Sequence, residues 1–265
     1  MDGSSDNKEA RDWIDKMRTF LDLSFTSRRR PADDDKVQSF VEASFPPAVR
    51  LALLQLPLSH LSKQPLMDLL KGFEIDLLFS EEPKGFHGVS WPIRTESDLE
   101  QYAKFVAGTV AELCIDLVLH HGTSTIPVDK RQELKAAGRN MGIALQLVNI
   151  ARDIKVDADM SRVYIPSTWL KTEGVDPKGV LKEPTSPSIV KLRLRLLDKA
   201  FECYEQSRGA IEELPLNARG PMRVAVESYM EIGRVLRKGN HRIKAGRATV
   251  PKFRRLLVAW RTLNK

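Results

Sequence analysis

Cysteine is scarce in this chain: of 265 residues, only Cys114 and Cys203 carry a thiol. Neither sits in a CxxC pair or a histidine-rich stretch, so neither a zinc ribbon nor a disulfide framework is suggested, and a reducing, intracellular compartment is the simplest expectation. An apolar h-region is also missing, because Met1 to Ala10 is polar and acidic, and a secretory signal is therefore not expected. Long hydrophobic runs are absent too. The longest, Phe105 to His120, carries Glu112 and Asp116 and is too short to cross a bilayer, so any membrane contact is expected to be peripheral. No convincing strand alternation occurs, which argues against Rossmann and P-loop nucleotide sites. No internal repeat or low-complexity linker divides the chain, so a single α-helical domain over residues 1–265 is expected. The apolar and charged fractions, 42% and 29%, are ordinary for a globular protein. The formal charge of +7 suits an anionic partner, whether diphosphate, phospholipid surface or nucleic acid.

What is present is helical periodicity. Trp13, Met17, Phe20 and Leu21 recur at helical spacing and predict a first amphipathic helix over about residues 8–24, broken at Arg28-Arg29-Arg30-Pro31. Asp33, Asp34 and Asp35 open a short helix, Pro46-Pro47 starts one through Leu56, and Pro65 starts one through about Leu78. A loop rich in glycine, proline and charge spans Glu81 to Arg94, and a long helix is predicted from Ser97 to about His121. Pro127 opens another to about Val156, and a surface connection follows over residues 171–188. Helices are then predicted over about 188–214 and 221–239, with a last one from near Pro251.

The informative segment is Gln146-Leu-Val-Asn149-Ile-Ala-Arg152-Asp153-Ile-Lys-Val-Asp157. At about 100° per residue, Gln146, Asn149, Asp153 and Asp157 fall on one helix stripe about 80° wide. Asp153 and Asp157 form an i,i+4 like-charge pair, which costs an isolated helix ~0.2–0.5 kcal/mol. A hard cation would offset that cost, and magnesium prefers a few carboxylates plus water and phosphate oxygens. The competing reading is a solvated acidic face, but the flanking Leu145, Leu147, Val148 and Ile150 make the helix too apolar for that to be natural. Gly138, Gly142 and Ala144 would let another helix or an extended ligand lie close.

At this point the residues become recognisable. Gln146 to Pro166, QLVNIARDIKVDADMSRVYIP, resembles the second aspartate-rich motif of the squalene and phytoene synthase family, approximately QLxNIxRDxxxDxxxGRxYLP. Tyr102 to Val110, YAKFVAGTV, is similar to that family's YCYYVAGTV helix. Stretches such as ARGPMRVAVESYMEIGRVLR and KAGRATVPK look most like the synthase domain of fungal fused lycopene cyclase/phytoene synthases.

The resemblance implies an all-α, isoprenoid-synthase-type helical bundle around an apolar cavity. It implies head-to-head condensation of two geranylgeranyl diphosphates to phytoene, in carotenoid biosynthesis, with magnesium (or manganese) as cofactor. By motif position Gln146, Asn149, Asp153 and Asp157 would ligate the metal, and Asp153, Asp157 and Tyr164 would be catalytic. Arg152, Arg162, Tyr229, Arg247 and Lys252 would hold substrate diphosphate. Arg152 and Arg162 have another reading, as simple partners of Asp153 or Asp159, and Tyr229 another as core. Gly108 and Thr109 are assigned to close helix approach. A squalene synthase-like enzyme and a non-catalytic scaffold are the alternatives.

Two departures from the family pattern stand out. The first aspartate-rich motif, of the form CRxxDDxxD, has no counterpart here, so the domain is expected to be truncated at its N-terminus and impaired alone. Asp2 and Asp6 have the right spacing but lie around Gly3-Ser4-Ser5, a poor helix former, and Asp33 to Asp35 suit helix capping. Ser161 stands where the family has glycine, and would be strained if that position needs a positive φ. Finally, no acid follows Glu231, whereas Arg234, Arg237, Lys238, Arg254, Arg255 and Arg261 are among the bases that do. A membrane-surface patch, a nucleic-acid surface and a plain solvated face compete there, and no nucleic-acid-binding motif supports the second. Peripheral attachment to membrane is expected, integral only with a fused cyclase domain, and a fused or separate lycopene cyclase is the expected partner.

Overall fold

The computed structural model describes residues 3–27, 29–80, 91–122, 126–238 and 250–263. Among them every regular element is helical. Helix α1 (Gly3–Ser27) starts earlier and ends later than its apolar spacing predicts. Pro31 ends the break after it, and Asp34 caps α2 (Asp35–Ser44) by accepting from the backbone N–H of Lys36 at 2.9 Å and of Val37 at 3.1 Å. That is the capping role expected of this acidic run. Helices α3 (Pro47–Leu54) and α4 (Lys63–Leu78) follow. Together the four bury Phe20, Leu21, Val37, Val41 and Phe45, with Phe20 meeting Phe45 edge-on at 6.4 Å. Each such side chain stabilises the fold by roughly 1.5–3 kcal/mol.

Helix α5 (Glu96–Ala103) begins with a capping box between Thr95 and Asp98. The unbroken helix predicted through His121 is instead interrupted by a π turn, Lys104–Gly108, before α6 (Thr109–His121). Thr109 Oγ1 donates to the Phe105 carbonyl at 2.5 Å within this wide turn. Helix α7 (Val128–Asp159) is 32 residues long, or about 48 Å. It lies at the centre of the second core, against α6 and, further along, the helix Pro187–Ser207. A Cβ on Gly142 would sit 2.4 Å from the Ala107 carbonyl oxygen, and one on Gly138 2.8 Å from Ile115 Cγ1. The small residues of α7 therefore admit a neighbouring helix, not a ligand. Gly108 makes the reciprocal approach, 3.2 Å from the Arg139 carbonyl by the same test.

The predicted surface connection contains two short helices, α8 (Ser167–Thr172) and α9 (Pro177–Lys182). Then come α10 (Pro187–Ser207), a 3-10 stretch over Arg208–Glu213, α11 (Leu216–Leu236) and α12 (Lys252–Leu263). Helix α11 begins before Pro221 and carries that proline inside it. The carbonyl four residues back belongs to exposed Asn217, where water can replace the missing bond.

Candidate functional site

The apolar side of α7 places Leu147, Val148, Ile150, Ala151 and Ile154 in the core. That fixes its rotation and leaves Gln146, Asn149, Asp153 and Asp157 half-buried on one side. The Asn149 side-chain amide donates to Gln146 Oε1 at 3.3 Å. From α11, the Tyr229 hydroxyl donates to Asn149 Oδ1 and accepts from Arg152 Nη1 at 3.4 Å. Tyr229 is thus part of the site as well as packed on the core. Of the two readings of Arg152, the ion pair is realised: its guanidinium grips both Asp153 oxygens, at 2.8 and 2.5 Å. That carboxylate holds Arg152 above the ordinary arginine range, against the effect of burial.

The end of α7 decides where the next residues point. Ser161 has φ of 60°, the strain expected of a serine at this position. Its N–H donates to the Ala158 carbonyl at 2.9 Å, and the Arg162 N–H to that of Asp157 at 2.8 Å. This pair of bonds is a Schellman ending, which reverses the chain sharply. Arg162 and Tyr164 are thereby turned back toward the stripe. Arg162 Nη1 donates to the Tyr164 hydroxyl at 3.5 Å, and no ion pair with Asp159 forms among the described residues. Tyr164 stacks on Tyr102, with ring centroids 4.9 Å apart, and donates its hydroxyl to Asp76 Oδ1 at 2.9 Å. Burial and the nearby Asp76 carboxylate both push the Tyr164 hydroxyl upward, so it stays protonated and donates.

Asp76 is the site residue that sequence reasoning missed. It comes from α4, and its signal is an acid in the apolar run Ile75-Asp76-Leu77-Leu78. Its charge reaches Asp157, whose carboxyl is pushed up to about 7. Burial is the largest cause, followed by Asp153; Arg162 opposes them, Asp76 adds to the rise, and Arg152 lowers it. Asp153 and Asp76 thus act on Asp157 through space, and the two arginines only partly offset them.

The donor set consists of carboxylate and amide oxygens, which suit a hard divalent cation. No group of three or more histidine, cysteine or acidic side chains among the described residues is spaced to hold a metal unaided. Magnesium keeps several waters and completes its shell with substrate phosphate, so it needs few protein oxygens. Away from these residues, an open apolar groove of about 470 Å³ lies between α1 and α4, lined by Trp13, Ile14, Phe73 and Leu77. Lys252 opens α12 and is exposed, and no hydrogen bond or ion pair among the described residues joins it to the stripe. Arg247 lies outside the described residues, as does Asp2.

The chain is 51% identical over 257 residues to a bifunctional lycopene cyclase/phytoene synthase of Gibberella fujikuroi, covering 97% of this chain and 43% of that protein. It is 51% identical over 264 residues to the protein of the same name in Pyrenophora tritici-repentis, covering 100% of this chain and 43% of that protein. The chain therefore spans less than half the length of these curated relatives. Among solved structures, a dehydrosqualene synthase superposes with a TM-score of 0.66 at 19% identity, covering 99% of this chain and 98% of that one. A squalene synthase from Alicyclobacillus acidocaldarius superposes with a TM-score of 0.58 at 17% identity, covering 82% of this chain and 72% of that one. These two bear out the all-α isoprenoid-synthase type of fold. The squalene/phytoene synthase model matches residues 1–254, nearly the whole helical array around the α7 stripe, and the chain belongs to that family.

Proposed function

We propose that this chain is a prenyltransferase domain of phytoene synthase type, joining two geranylgeranyl diphosphates head to head. The observation that carries the proposal is the half-buried stripe of Gln146, Asn149, Asp153 and Asp157, where burial and the charges of Asp153 and Asp76 push the Asp157 carboxyl up to about 7. Magnesium or manganese, when bound by Asp153 and Asp157 with Gln146 and Asn149, would neutralise the departing diphosphate. The chain's own residues supply the rest. Arg152 and Arg162 present positive charge to phosphate oxygens, and Tyr229 fixes Arg152 and Asn149 relative to each other. Tyr164, braced by Tyr102 and Asp76, holds the far end of the stripe. By family resemblance, Arg247 and Lys252 would complete the diphosphate pocket. The reaction also needs an apolar surround that keeps water from the allylic cation.

The chemistry has two ionisations. Loss of one diphosphate leaves an allylic cation, which the second chain's double bond captures with loss of a proton to give a cyclopropyl diphosphate. Loss of the second diphosphate and rearrangement, again with loss of a proton, give phytoene. Family members that act this way carry two aspartate-rich helices, and these 265 residues show one such stripe. A lycopene cyclase fused to the same polypeptide, as in the named relatives, is the proposed partner activity.

The test is an assay with radiolabelled geranylgeranyl diphosphate and magnesium, on the chain alone and on the chain joined to an upstream helix bearing a second aspartate-rich motif. The joined protein is expected to make phytoene. Asp153→Asn should lower the rate on the order of 10²-fold or more, and Tyr164→Phe by about tenfold. Absence of product from the joined protein, or an Asp153→Asn variant as active as its parent, would overturn the proposal and favour a scaffold role. A squalene-type product from shorter diphosphates would move the assignment within the family.

A further inference from the structure

Helix α12 carries a face that the proposed reaction does not use. Its sequence, KFRRLLVAWRTL, contains no acid. Taking about 100° per residue, Phe253, Leu256, Trp260 and Leu263 share an arc about 80° wide. All four are well exposed, at 77%, 69%, 65% and 61% of their full surface. The opposite face is what holds α12 to the protein. There Thr262 is buried, Arg254 pairs with Glu231 of α11 at 2.5 Å, and Arg223 of α11 donates to the Thr262 carbonyl at 3.5 Å. The helix is thus anchored by its polar side and turns its large apolar side outward, the reverse of an ordinary surface helix.

The flanks of the apolar arc are basic. Arg255 lies on one side and Arg261 on the other, both exposed. A tryptophan and a phenylalanine within a leucine-rich stripe, rimmed by arginine without acid, is the pattern of a helix that lies in the plane of a lipid interface. Arg255 Nε donates to the Val250 carbonyl at 2.9 Å, which leaves its outer nitrogens for solvent. A purely apolar partner would desolvate such guanidinium groups, whereas anionic headgroups would meet them.

We infer that α12 is a membrane-docking helix, which inserts Phe253, Leu256, Trp260 and Leu263 into the acyl boundary of an anionic bilayer while Arg255 and Arg261 engage lipid phosphate. Such docking needs no spanning segment, and no helix among the described residues is long and apolar enough to cross a membrane. The inference does not depend on which prenyl diphosphate the site accepts, so it stands or falls separately from the proposed reaction.

The experiment is co-sedimentation of the full chain with vesicles of phosphatidylcholine alone and of phosphatidylcholine containing phosphatidylserine, at low and high salt. Binding to the anionic vesicles is expected, at least about tenfold stronger than to neutral ones and weakened by salt. Leu256→Glu combined with Trp260→Glu should abolish it. Arg255→Gln and Arg261→Gln should each weaken it about fivefold on anionic vesicles only. Leu256, Trp260 and Arg261 are exposed, so their variants should match the parent in circular dichroism and melting, whereas Arg255→Gln also loses the bond to the Val250 carbonyl and is judged beside Arg261→Gln. Lipids brominated in the acyl chain should quench tryptophan emission in the parent and much less in Trp260→Tyr, which keeps the other three tryptophans. Failure to bind anionic vesicles, or binding unchanged by the two glutamates, overturns the inference. So does a dimer in solution that the glutamates dissolve without any vesicle binding, which would assign the face to a second copy of the chain.

Discussion

Replacing Asp157 by asparagine isolates the cost of keeping a carboxylate in the site. Burial, with Asp153 and Asp76 nearby, raises its carboxyl from the ordinary 3.8 to about 7, and Arg162 and Arg152 only partly offset them. The folded protein therefore takes up this proton at higher pH than the unfolded chain does. Between about pH 4 and 7 folding binds a proton, so stability from this group falls as pH rises through that window and stays low above it. The rise corresponds to a ceiling of about 4 kcal/mol, and partial access of water to the carboxylate reduces the realised penalty to about 1–2 kcal/mol. Asparagine keeps the shape and carries no charge. No hydrogen bond of the described residues falls on the Asp157 carboxylate, so little is lost in exchange. Without divalent metal, Asp157→Asn should melt about 2–8 °C above the parent at pH 8, with a gain near zero at about pH 4. Other titrating groups cancel in the difference between the two proteins. Magnesium should then raise the melting temperature of the parent and not of the variant. Melting followed by circular dichroism at both pH values reads all of this. A variant less stable than the parent at pH 8, or a gain equal at both pH values, would refute the account of Asp157 as a destabilised carboxylate awaiting a cation.

Two further substitutions test the frame around the site. Gly142→Ala should lower stability by about 1–3 kcal/mol in urea unfolding despite alanine's better helix propensity, because the added carbon meets the Ala107 backbone, which cannot move aside like a side chain. An unchanged midpoint would mean that α7 and the π turn are not in close contact. Ser161→Gly should raise stability by about 0.5–1 kcal/mol, since relief of a left-handed serine, worth about 1–2 kcal/mol, exceeds glycine's entropic cost. A loss of stability there would show that the serine side chain contributes something the φ angle does not explain.

Much of this architecture was legible before any coordinates. Apolar spacing located α1, because a helix that buries one face must repeat every three to four residues, and prolines marked the starts of α3, α4 and α7 to within two residues. The same periodicity put Gln146, Asn149, Asp153 and Asp157 on one stripe, and an acid run after a break announced the Asp34 cap. The serine at 161 already implied a strained turn if the chain reversed there, and it does. Local geometry is set by neighbours in sequence, so these features follow from sequence alone.

Other features depend on residues far apart in the chain. Asp76 meets Tyr164 across 88 positions, and Tyr229 meets Asn149 across 80, so neither contact has a spacing to read. Arg152 stands next to Asp153 in any conformation, but only the packed α7 and α11 decide that it grips that carboxylate with Tyr229 beside it. The π turn at Lys104–Gly108 and the start of α11 ahead of Pro221 likewise answer to tertiary contact and solvent exposure, which override local propensity. Sequence by itself determined that α7 carries a line of oxygens. The tertiary structure decided that the line faces a third carboxylate and two arginines, because charge and burial act through space and not along the chain.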